Sequence, residues 1–304
     1  MKPPPFEYHA PTTVAETVSL LRDHGDDAKV LAGGQSLMPL LNFRLARPAA
    51  IVDINGVEEL GYLRQEDGWL AIGALVRQRA AELSALVTAT CPLLAEALPF
   101  IGHFQIRNRG TVVGSLAHAD PAAELGAVAL ALGAELRIQS TRGARTVPAE
   151  QFFVSYLTTA LAPDELLVEA RFPAARPRTG YAFAEFARRH GDFALVGVAA
   201  IVEQDPAHRC ADARLAFTGV GPVPILCTDE QSVLRGEPLT PQAMNVFAER
   251  AAASFEAEPD IHASAAYRRE LAGVLAERAL QSAAARSQKA SQTYLKFWNE
   301  GNSE

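Results

Sequence analysis

The chain has 304 residues, of which 49% are hydrophobic and 21% are charged, and its formal net charge is −7 at pH 7. At about 100–200 residues per domain, this length predicts two or three domains with a sizeable core. The negative charge argues against a nucleic-acid binder, which would carry a basic stripe. It also argues against binding to an anionic membrane surface.

The sequence contains no recognisable targeting or membrane segment. No apolar run follows the single lysine of Met1-Lys2-Pro3-Pro4-Pro5, so we expect no signal peptide. The longest apolar candidate, Leu125 to Leu132, is much shorter than the roughly 18 residues that a spanning helix needs. We therefore predict no membrane span and a cytoplasmic location, unless the folded chain travels with a partner that carries an export signal.

The first half of the chain reads as mixed helices and strands. Pro11 with Thr12 or Thr13 opens the first helix and Gly25 closes it. The predicted elements are a helix over 11–25, strands over 28–32 and 50–54, a hairpin of 60–65 with 68–73, helices over 80–89 and 92–100, and a loop over 102–110. A second hairpin over 134–147, turning at Gly143, and a strand over 165–172 follow.

The Pro-rich segment 173–178 has the composition of a domain boundary. Beyond it we predict strands over 181–188, 194–204 and 213–220, then helices over 241–256 and 263–286. The tail after Ser287 is polar, and we expect it to fray or to take part in docking. These elements predict an α+β protein.

Two segments are candidates for binding an anionic ligand. In Ala32-Gly33-Gly34-Gln35-Ser36-Leu37, two glycines follow a strand and let the backbone amides approach a ligand closely. Successive amides in such a turn can cradle a phosphate, and Ser36 adds a hydroxyl. The alternative is a strand–loop turn with no ligand. The segment is neither a GxGxxG fingerprint nor a Walker loop.

The second segment is Thr111-Val112-Val113-Gly114-Ser115, followed by Glu124. It offers two hydroxyls and the unblocked amide of Gly114, and Glu124 can hold ribose hydroxyls. Taken alone it is also compatible with a purely structural turn. Two such loops, one in each half of an N-terminal domain and about 80 residues apart, suit a dinucleotide that stretches between two lobes.

Other catalytic or metal-binding patterns are missing from the sequence. It has no GxSxG nucleophile elbow and no HExxH pair. His103, His118, His190 and His262 lack metal-ligand spacing, so we predict no metal site. The three scattered cysteines are too few for an iron–sulfur cluster, which usually needs four thiolates.

The sequence resembles the FAD-binding medium subunit of the molybdenum hydroxylases, the family of carbon monoxide dehydrogenase and xanthine dehydrogenase. The resemblance runs from about residue 6 to residue 280. Its motifs are Ala32-Gly33-Gly34-Gln35-Ser36, the run from Gln105 to Ala117, Ala119-Asp120-Pro121-Ala122-Ala123-Glu124, Leu161 to Leu167, Arg188 to Ala194, and Tyr267-Arg268-Arg269.

The resemblance implies a two-subdomain FAD-binding domain of the vanillyl-alcohol oxidase-like (PCMH) type over 1–175, with subdomains of about 1–57 and 58–175. A carbon monoxide dehydrogenase flavoprotein C-terminal-like domain over 176–286 and a polar tail over 287–304 would follow. FAD pyrophosphate would lie between Val30-Leu31-Ala32-Gly33-Gly34-Gln35-Ser36-Leu37 and Thr111-Val112-Val113-Gly114-Ser115. Glu124 would hold ribose, Ile101 and Leu167 would line adenine or flavin, and Glu185 would stand where some members have a flavin-contacting lysine.

The chain departs from the family pattern in two places. The family usually reads Thr-Ile-Gly-Gly-Asn at the second segment, whereas this chain has Val113 and Ser115 in place of the first Gly and the Asn. We expect the Val113 side chain to narrow the approach of the backbone to a phosphate. Glu185 in place of lysine would remove a positive charge near the flavin and disfavour its anionic reduced form.

By the same resemblance, the chain is an electron-transfer subunit without a catalytic residue of its own. A large partner would hold molybdopterin and hydroxylate the substrate, and a small partner would carry two [2Fe–2S] clusters. FAD would pass the electrons to an external acceptor, in a dimer of heterotrimers. Two alternatives stay open: a stand-alone flavin oxidase, and a non-catalytic bridging subunit that has lost FAD.

Overall fold

A computed structural model describes residues 2–228 and 234–301, with side chains described up to residue 289. The N-terminal part opens with a small parallel sheet of strand order β1-β3-β2. Its elements are strand β1 (Glu7–His9), helix α1 (Val14–His24), strand β2 (Ala28–Leu31), helix α2 (Leu37–Asn42) and strand β3 (Ala50–Asp53). Thr13 caps α1 by accepting from the Glu16 amide, and Gly25 ends it at φ +54°, as the sequence predicts.

A five-stranded antiparallel sheet of order β4-β5-β10-β6-β7 forms the next layer. Its strands are β4 (Leu63–Glu66), β5 (Trp69–Gly73), β6 (Glu135–Ser140), β7 (Gly143–Pro148) and β10 (Leu166–Pro173). A short hairpin of β8 (Phe153–Ser155) and β9 (Thr158–Thr159) lies between β7 and β10. Both predicted hairpins, at Asp67-Gly68 and at Gly143, agree with the structure.

Helices between β5 and β6 cover this sheet. They are α3 (Gln78–Glu82), α4 (Ala85–Thr90), α5 (Pro92–Ala97), α6 (Phe104–Arg109), α7 (Val112–His118) and α8 (Glu124–Leu132), with the short α9 (Ala149–Phe152) after β7. The predicted helix over 80–89 is in fact two helices, because Ser84 caps the second one by accepting from the Val87 amide. The predicted loop over 102–110 is wrong, since α6 occupies most of it and ends at Gly110.

The C-terminal part is a four-stranded antiparallel sheet backed by two helices. Its elements are β11 (Thr179–Phe186), β12 (Val196–Gln204), β13 (Cys210–Thr218), β14 (Ile225–Thr228), α10 (Pro241–Ala253) and α11 (Ala265–Gly301). The sequence predicts three of these strands and misses β14. The expectation of a frayed tail after Ser287 is wrong for the backbone, because α11 continues to Gly301. No glycine or proline stands between Gly273 and Gly301 to stop the helix.

The buried core is divided into two clusters. The larger one joins the parallel sheet, the five-stranded sheet and α8. Every residue of α8 is buried. The second lies between the four-stranded sheet and helices α10 and α11. Among the described residues, no helix has the length and apolar character to cross a membrane. The arrangement confirms the predicted α+β class.

Gly180 allows α11 to pack directly on β11. A Cβ atom at this position would overlap the backbone carbonyl of Ala283. We expect Gly180→Ala to lower the free energy of unfolding by about 3 kcal/mol, since overpacking against backbone cannot relax easily. The control is Gly273→Ala on α11, where an added Cβ atom would lie 3.8 Å from its nearest neighbour; this variant should be slightly more stable. Urea denaturation of both variants measures the difference, and equal stabilities would contradict this account.

Candidate functional site

A cavity of about 720 Å³ lies where the parallel sheet, the helices α6 to α8 and the C-terminal sheet meet. This volume falls within the roughly 300–1,000 Å³ of small-molecule and cofactor pockets. Its walls come from five separate parts of the chain: residues 21–54, 74–78, 101–124, 157–167 and 191–193. A smaller cavity of about 500 Å³ lies beside it and shares residues 32–35.

The Gly33–Gly34 turn brings two distant segments into direct contact. A Cβ atom on Gly33 would lie only 2.5 Å from the carbonyl oxygen of Arg109 and 2.7 Å from the Cα of Gly110. Gly34 has φ +73°, a left-handed conformation that favours glycine. The backbone of the first candidate segment therefore lies against the residues that immediately precede the second one.

The backbone amides of residues 33–37 have no partner within the part of the chain that the structure describes. None of these five N–H groups donates to a protein acceptor, and neither does the Ser36 hydroxyl. All five residues line the cavity. Consecutive unpaired amides form an anion-binding concavity, so this turn has the donor set that a phosphate group needs.

The second segment opens a helix and is not a loop, which corrects the sequence prediction. Thr111 is the N-cap of α7, and its hydroxyl oxygen accepts from the Gly114 amide at 3.0 Å. The Ser115 amide donates to the Thr111 carbonyl. The Val113 amide, in the first turn, has no acceptor among the described residues, and Val113 lines the cavity. This segment thus offers the amide of a helix N-terminus next to the glycine turn.

A hydrogen-bond network holds the two segments in register. The Arg77 guanidinium donates to the Arg109 carbonyl at 2.7 Å and to the Asn55 side-chain oxygen at 2.6 Å. Asn55 in turn donates to the Ala32 carbonyl at 2.9 Å. One arginine thus links the end of β2 to the residue before Gly110, across the boundary of the two sheets.

Arg107 supports a further wall of the cavity. Its buried guanidinium pairs with Glu82 at 2.7 Å and donates to the carbonyls of Ile101 and Gly102 at 2.9 and 3.1 Å. The hydrogen bond from Arg107 lowers the pKa of Glu82, despite its partial burial. Because Ile101 and Gly102 line the cavity, this ion pair fixes their backbone.

A buried carboxyl group, that of Glu124, lies close enough to the half-buried carboxyl group of Glu185 to influence it. Glu124, the first residue of α8, lines the cavity, and its burial raises its pKa to about 7. Burial, with a contribution from Glu124, raises the pKa of Glu185 on β11 to about 8. The Oε2 atom of Glu185 is inaccessible and has no hydrogen-bond partner among the described residues. At neutral pH, the pair therefore holds at least part of its protons.

The structure brings most of the predicted site residues together. Fourteen of the seventeen line the larger cavity: Val30, Ala32, Gly33, Gly34, Gln35, Ser36, Leu37, Ile101, Thr111, Val113, Gly114, Ser115, Glu124 and Leu167. Leu31 lines the smaller cavity instead. Val112 is fully buried in the core, and Glu185 is not among the residues that line either cavity. The predicted contact of Glu185 with the cofactor stays a prediction.

The cavity also has lining residues that sequence reasoning missed. Lys29 reaches it from β2, and Gly191, Asp192 and Phe193 reach it from the turn between β11 and β12. Gly191, at φ +87°, lies against the ring of His103. The motif Arg188 to Ala194 could have indicated this wall, since it belongs to the family resemblance. Lys29 carries no signal beyond its position before the glycine turn.

Comparisons with known proteins agree with this geometry. Residues 4–175 match the family model described as the FAD binding domain in molybdopterin dehydrogenase, and residues 181–283 match the CO dehydrogenase flavoprotein C-terminal domain. The chain is 44% identical to the 6-hydroxypseudooxynicotine dehydrogenase complex subunit alpha of Paenarthrobacter nicotinovorans, over 93% of this chain and 96% of that one.

A second relative, the carbon monoxide dehydrogenase medium chain of Hydrogenophaga pseudoflava, is 39% identical over 94% of this chain and 99% of the relative. A solved structure of carbon monoxide dehydrogenase from Hydrogenophaga pseudoflava, which lacks the Mo-pyranopterin moiety of the molybdenum cofactor, superposes with a TM-score of 0.90. That match covers 94% of this chain and 99% of the other, at 39% identity.

The raised pKa values of Glu124 and Glu185 predict how the stability of the ligand-free chain depends on pH. Both pKa values lie above the usual 4.5, so their contribution is fully present below pH 4.5 and is lost as pH rises through about 7 and 8. We expect the free energy of unfolding to fall by about 1–3 kcal/mol across this window, the cost of a buried charge without a partner.

Denaturant titrations at several pH values measure this slope. Glu124→Gln and Glu185→Gln should each flatten it, because an amide cannot ionise. Glu150→Gln, at an exposed carboxylate, is the control and should keep the slope. A slope that persists in the Glu124→Gln/Glu185→Gln double variant would show that other groups cause it.

Proposed function

Since the chain belongs to the family of FAD-binding subunits of molybdopterin dehydrogenases, we propose that it carries electrons within a molybdenum hydroxylase. It receives them from iron–sulfur clusters of a partner subunit and delivers them through FAD to an external acceptor. The observation that carries this proposal is the row of five unpaired amides at residues 33–37 beside a cavity of cofactor size.

We propose that the FAD pyrophosphate is held between residues 30–37 and 111–115. The amides of the glycine turn and of Val113 are donors for its oxygens, and the Ser36 hydroxyl is another. Glu124, Ile101 and Leu167 all line the cavity; we propose that Glu124 accepts from ribose hydroxyls and that Ile101 and Leu167 contact a ring system. Glu185, on β11, is the remaining candidate for a contact with the cofactor, and Glu124 contributes to its raised pKa.

FAD can accept electrons singly and pass them on in pairs, which is the chemistry that the proposed role requires. The residues of this chain bind and orient the cofactor and shape the electrostatic field around it. No general base is needed, and we assign no catalytic residue. The proposed division of the chain is 1–175 for FAD, in subdomains of about 1–57 and 58–175, and 176–286 for the C-terminal domain.

The proposed partners follow from the family. A large subunit holds molybdopterin and hydroxylates the substrate, and a small subunit holds two [2Fe–2S] clusters. The three buried cysteines of this chain, Cys91, Cys210 and Cys227, are fewer than the four thiolates that an iron–sulfur cluster usually needs, so we assign both clusters to the small subunit. We propose a dimer of heterotrimers in the cytoplasm, and we assign substrate choice to the large subunit.

Purification of the complex from its native host tests the proposal as a whole. We expect two partner chains, molybdenum, iron and one FAD per copy of this chain, and loss of acceptor reduction when FAD is removed by chaotropic salt. Addition of FAD should restore it. A colourless chain that still assembles would favour a bridging subunit. A flavin that survives denaturation, with oxidase activity of the lone chain, would favour a stand-alone flavin oxidase.

The glycine turn provides a matched pair of variants for the binding site. Gly34 and Gly68 have φ +73° and +79°, so Gly34→Ala and Gly68→Ala store similar backbone strain of about 1–2 kcal/mol. Gly68 lies in the β4–β5 hairpin with nothing near its Cβ position. We expect Gly34→Ala to weaken FAD binding by about tenfold or more, and Gly68→Ala to leave it unchanged.

Flavin fluorescence during FAD titration of the ligand-free chain measures both affinities. Circular dichroism checks that both variants are folded. Equal FAD affinities for Gly34→Ala and Gly68→Ala would contradict the assignment of the glycine turn to the pyrophosphate.

A further inference from the structure

Two imidazoles and a carboxylate meet at the edge of the parallel sheet, outside the lining of both cavities. Glu7 and His9 are alternate residues of β1, so their side chains share one face of this edge strand. His24 is the last residue of α1, and its ring lies 5.0 Å from that of His9, centroid to centroid. The fold thus brings His24, at the far end of α1, to Glu7 and His9 on β1.

Their spacing approaches that of metal ligands. The His9 Nε2 atom lies 3.5 Å from the Glu7 carboxylate, and the ligating atoms of all three side chains lie within 4.8 Å of one another. In a tetrahedral zinc site with bonds of about 2.0–2.1 Å, neighbouring ligand atoms are roughly 3.3 Å apart. The His9–Glu7 pair already has this separation. The other pairs of ligating atoms reach this separation with side-chain movements of about 1.5 Å or less, and the exposed Glu7 side chain is free to make such a movement.

The His9 ring nitrogen is a second, independent observation. Nε2 is inaccessible to solvent, yet it makes no hydrogen bond to any residue that the structure describes. A buried nitrogen that faces a carboxylate at 3.5 Å without a hydrogen bond needs an explanation, such as an ion bound between the two. The C-terminal end of α1, where His24 lies, carries a partial negative charge that favours a cation.

We propose that Glu7, His9 and His24 bind a divalent transition-metal ion, with zinc as the best match. Imidazole nitrogens suit zinc, copper and nickel and disfavour magnesium and calcium. Two histidines and one glutamate leave a fourth position for water, as in other three-ligand zinc sites. The bound ion connects the three-residue edge strand β1 to α1 and so stabilises the N-terminal end of the fold. This role is separate from electron transfer.

The site is a weak one. Strong zinc sites hold the second ring nitrogen of each histidine with a carboxylate or carbonyl, and their loss costs about 10–100-fold in affinity. Within the described residues, His9 and His24 have no such hydrogen bond. We therefore expect micromolar zinc affinity, which suits a stabilising ion that exchanges with its surroundings.

Zinc titration of the chelator-treated full chain, by isothermal calorimetry, tests the proposal. We expect one equivalent to bind, and His9→Ala and His24→Ala each to weaken binding by more than about tenfold. His262→Ala, at an exposed histidine far along the chain, is the matched control and should bind as the unaltered protein does. Cobalt(II) in place of zinc should give the intense visible bands of a four-coordinate site in the unaltered protein and in His262→Ala, but not in His9→Ala or His24→Ala.

Thermal denaturation with and without zinc distinguishes binding at this site from effects of zinc elsewhere on the protein. The melting temperature should rise with zinc in the unaltered protein and in His262→Ala, but not in the His9→Ala/His24→Ala double variant. Zinc binding that is equal in the double variant and the unaltered protein would overturn the proposal. So would the absence of binding at zinc concentrations near one millimolar. FAD content is measured alongside, so that a folding defect is recognised.

Discussion

The contact between the backbone of Gly33 and that of Arg109 and Gly110 is the constraint on which the cavity depends. Two polypeptide segments can approach this closely only where one of them lacks a side chain. Arg77 and Asn55 then fix the approach with hydrogen bonds to the carbonyls of Arg109 and Ala32. Since those carbonyls are occupied, the amides of residues 33–37 are what this turn leaves for a ligand.

The charges that line the cavity bear on the proposed binding of an anion by backbone amides. Among the lining residues that the structure describes, one lysine, Lys29, faces five carboxyl groups: Asp26, Asp120, Glu124, Glu165 and Asp192. An anionic ligand would be repelled if all of these were ionised. Burial raises the pKa of Glu124 and lessens this repulsion. Glu185, with its pKa near 8, is mostly uncharged at neutral pH. Where a relative has a lysine, glutamate at this position therefore lowers the local charge by closer to one unit than two.

Local signals in the sequence predicted the parts of the fold that depend on local chemistry. Thr13 and Gly25 bound α1, and Asp67-Gly68 and Gly143 mark the hairpins, because caps and turns depend on residues within a few positions. The helix α6 escaped prediction because the signals on either side, Gly102 and Gly110, favour a loop. Strand β14 escaped because its four residues form a strand only through pairing with β13.

In the candidate site, too, local sequence signals predicted only the features that depend on nearby residues. Both glycine-containing segments were found from sequence, since each has its own turn or cap chemistry. The influence of Glu124 on Glu185, the support of Ile101 by Arg107, and the meeting of His9 with His24 depend on tertiary packing. No spacing rule within one element predicts such pairs. The resemblance to the family places Glu185 near the cofactor, and the structure adds that it lies outside the lining of both cavities.

The C-terminal domain completes the site, although the family resemblance gives the cofactor to the N-terminal one. The Thr218 hydroxyl lies 2.6 Å from the Pro121 carbonyl and 2.8 Å from that of Ala123, and the Gly219 amide donates to Pro121. These bonds hold the segment that leads into Glu124. The buried Arg268 donates to the carbonyls of Leu195 and Gly219, next to the turn that carries Asp192 and Phe193. Docking of this domain therefore positions two walls of the cavity, and loosening it would disturb the ligand site without altering any residue of the glycine turn.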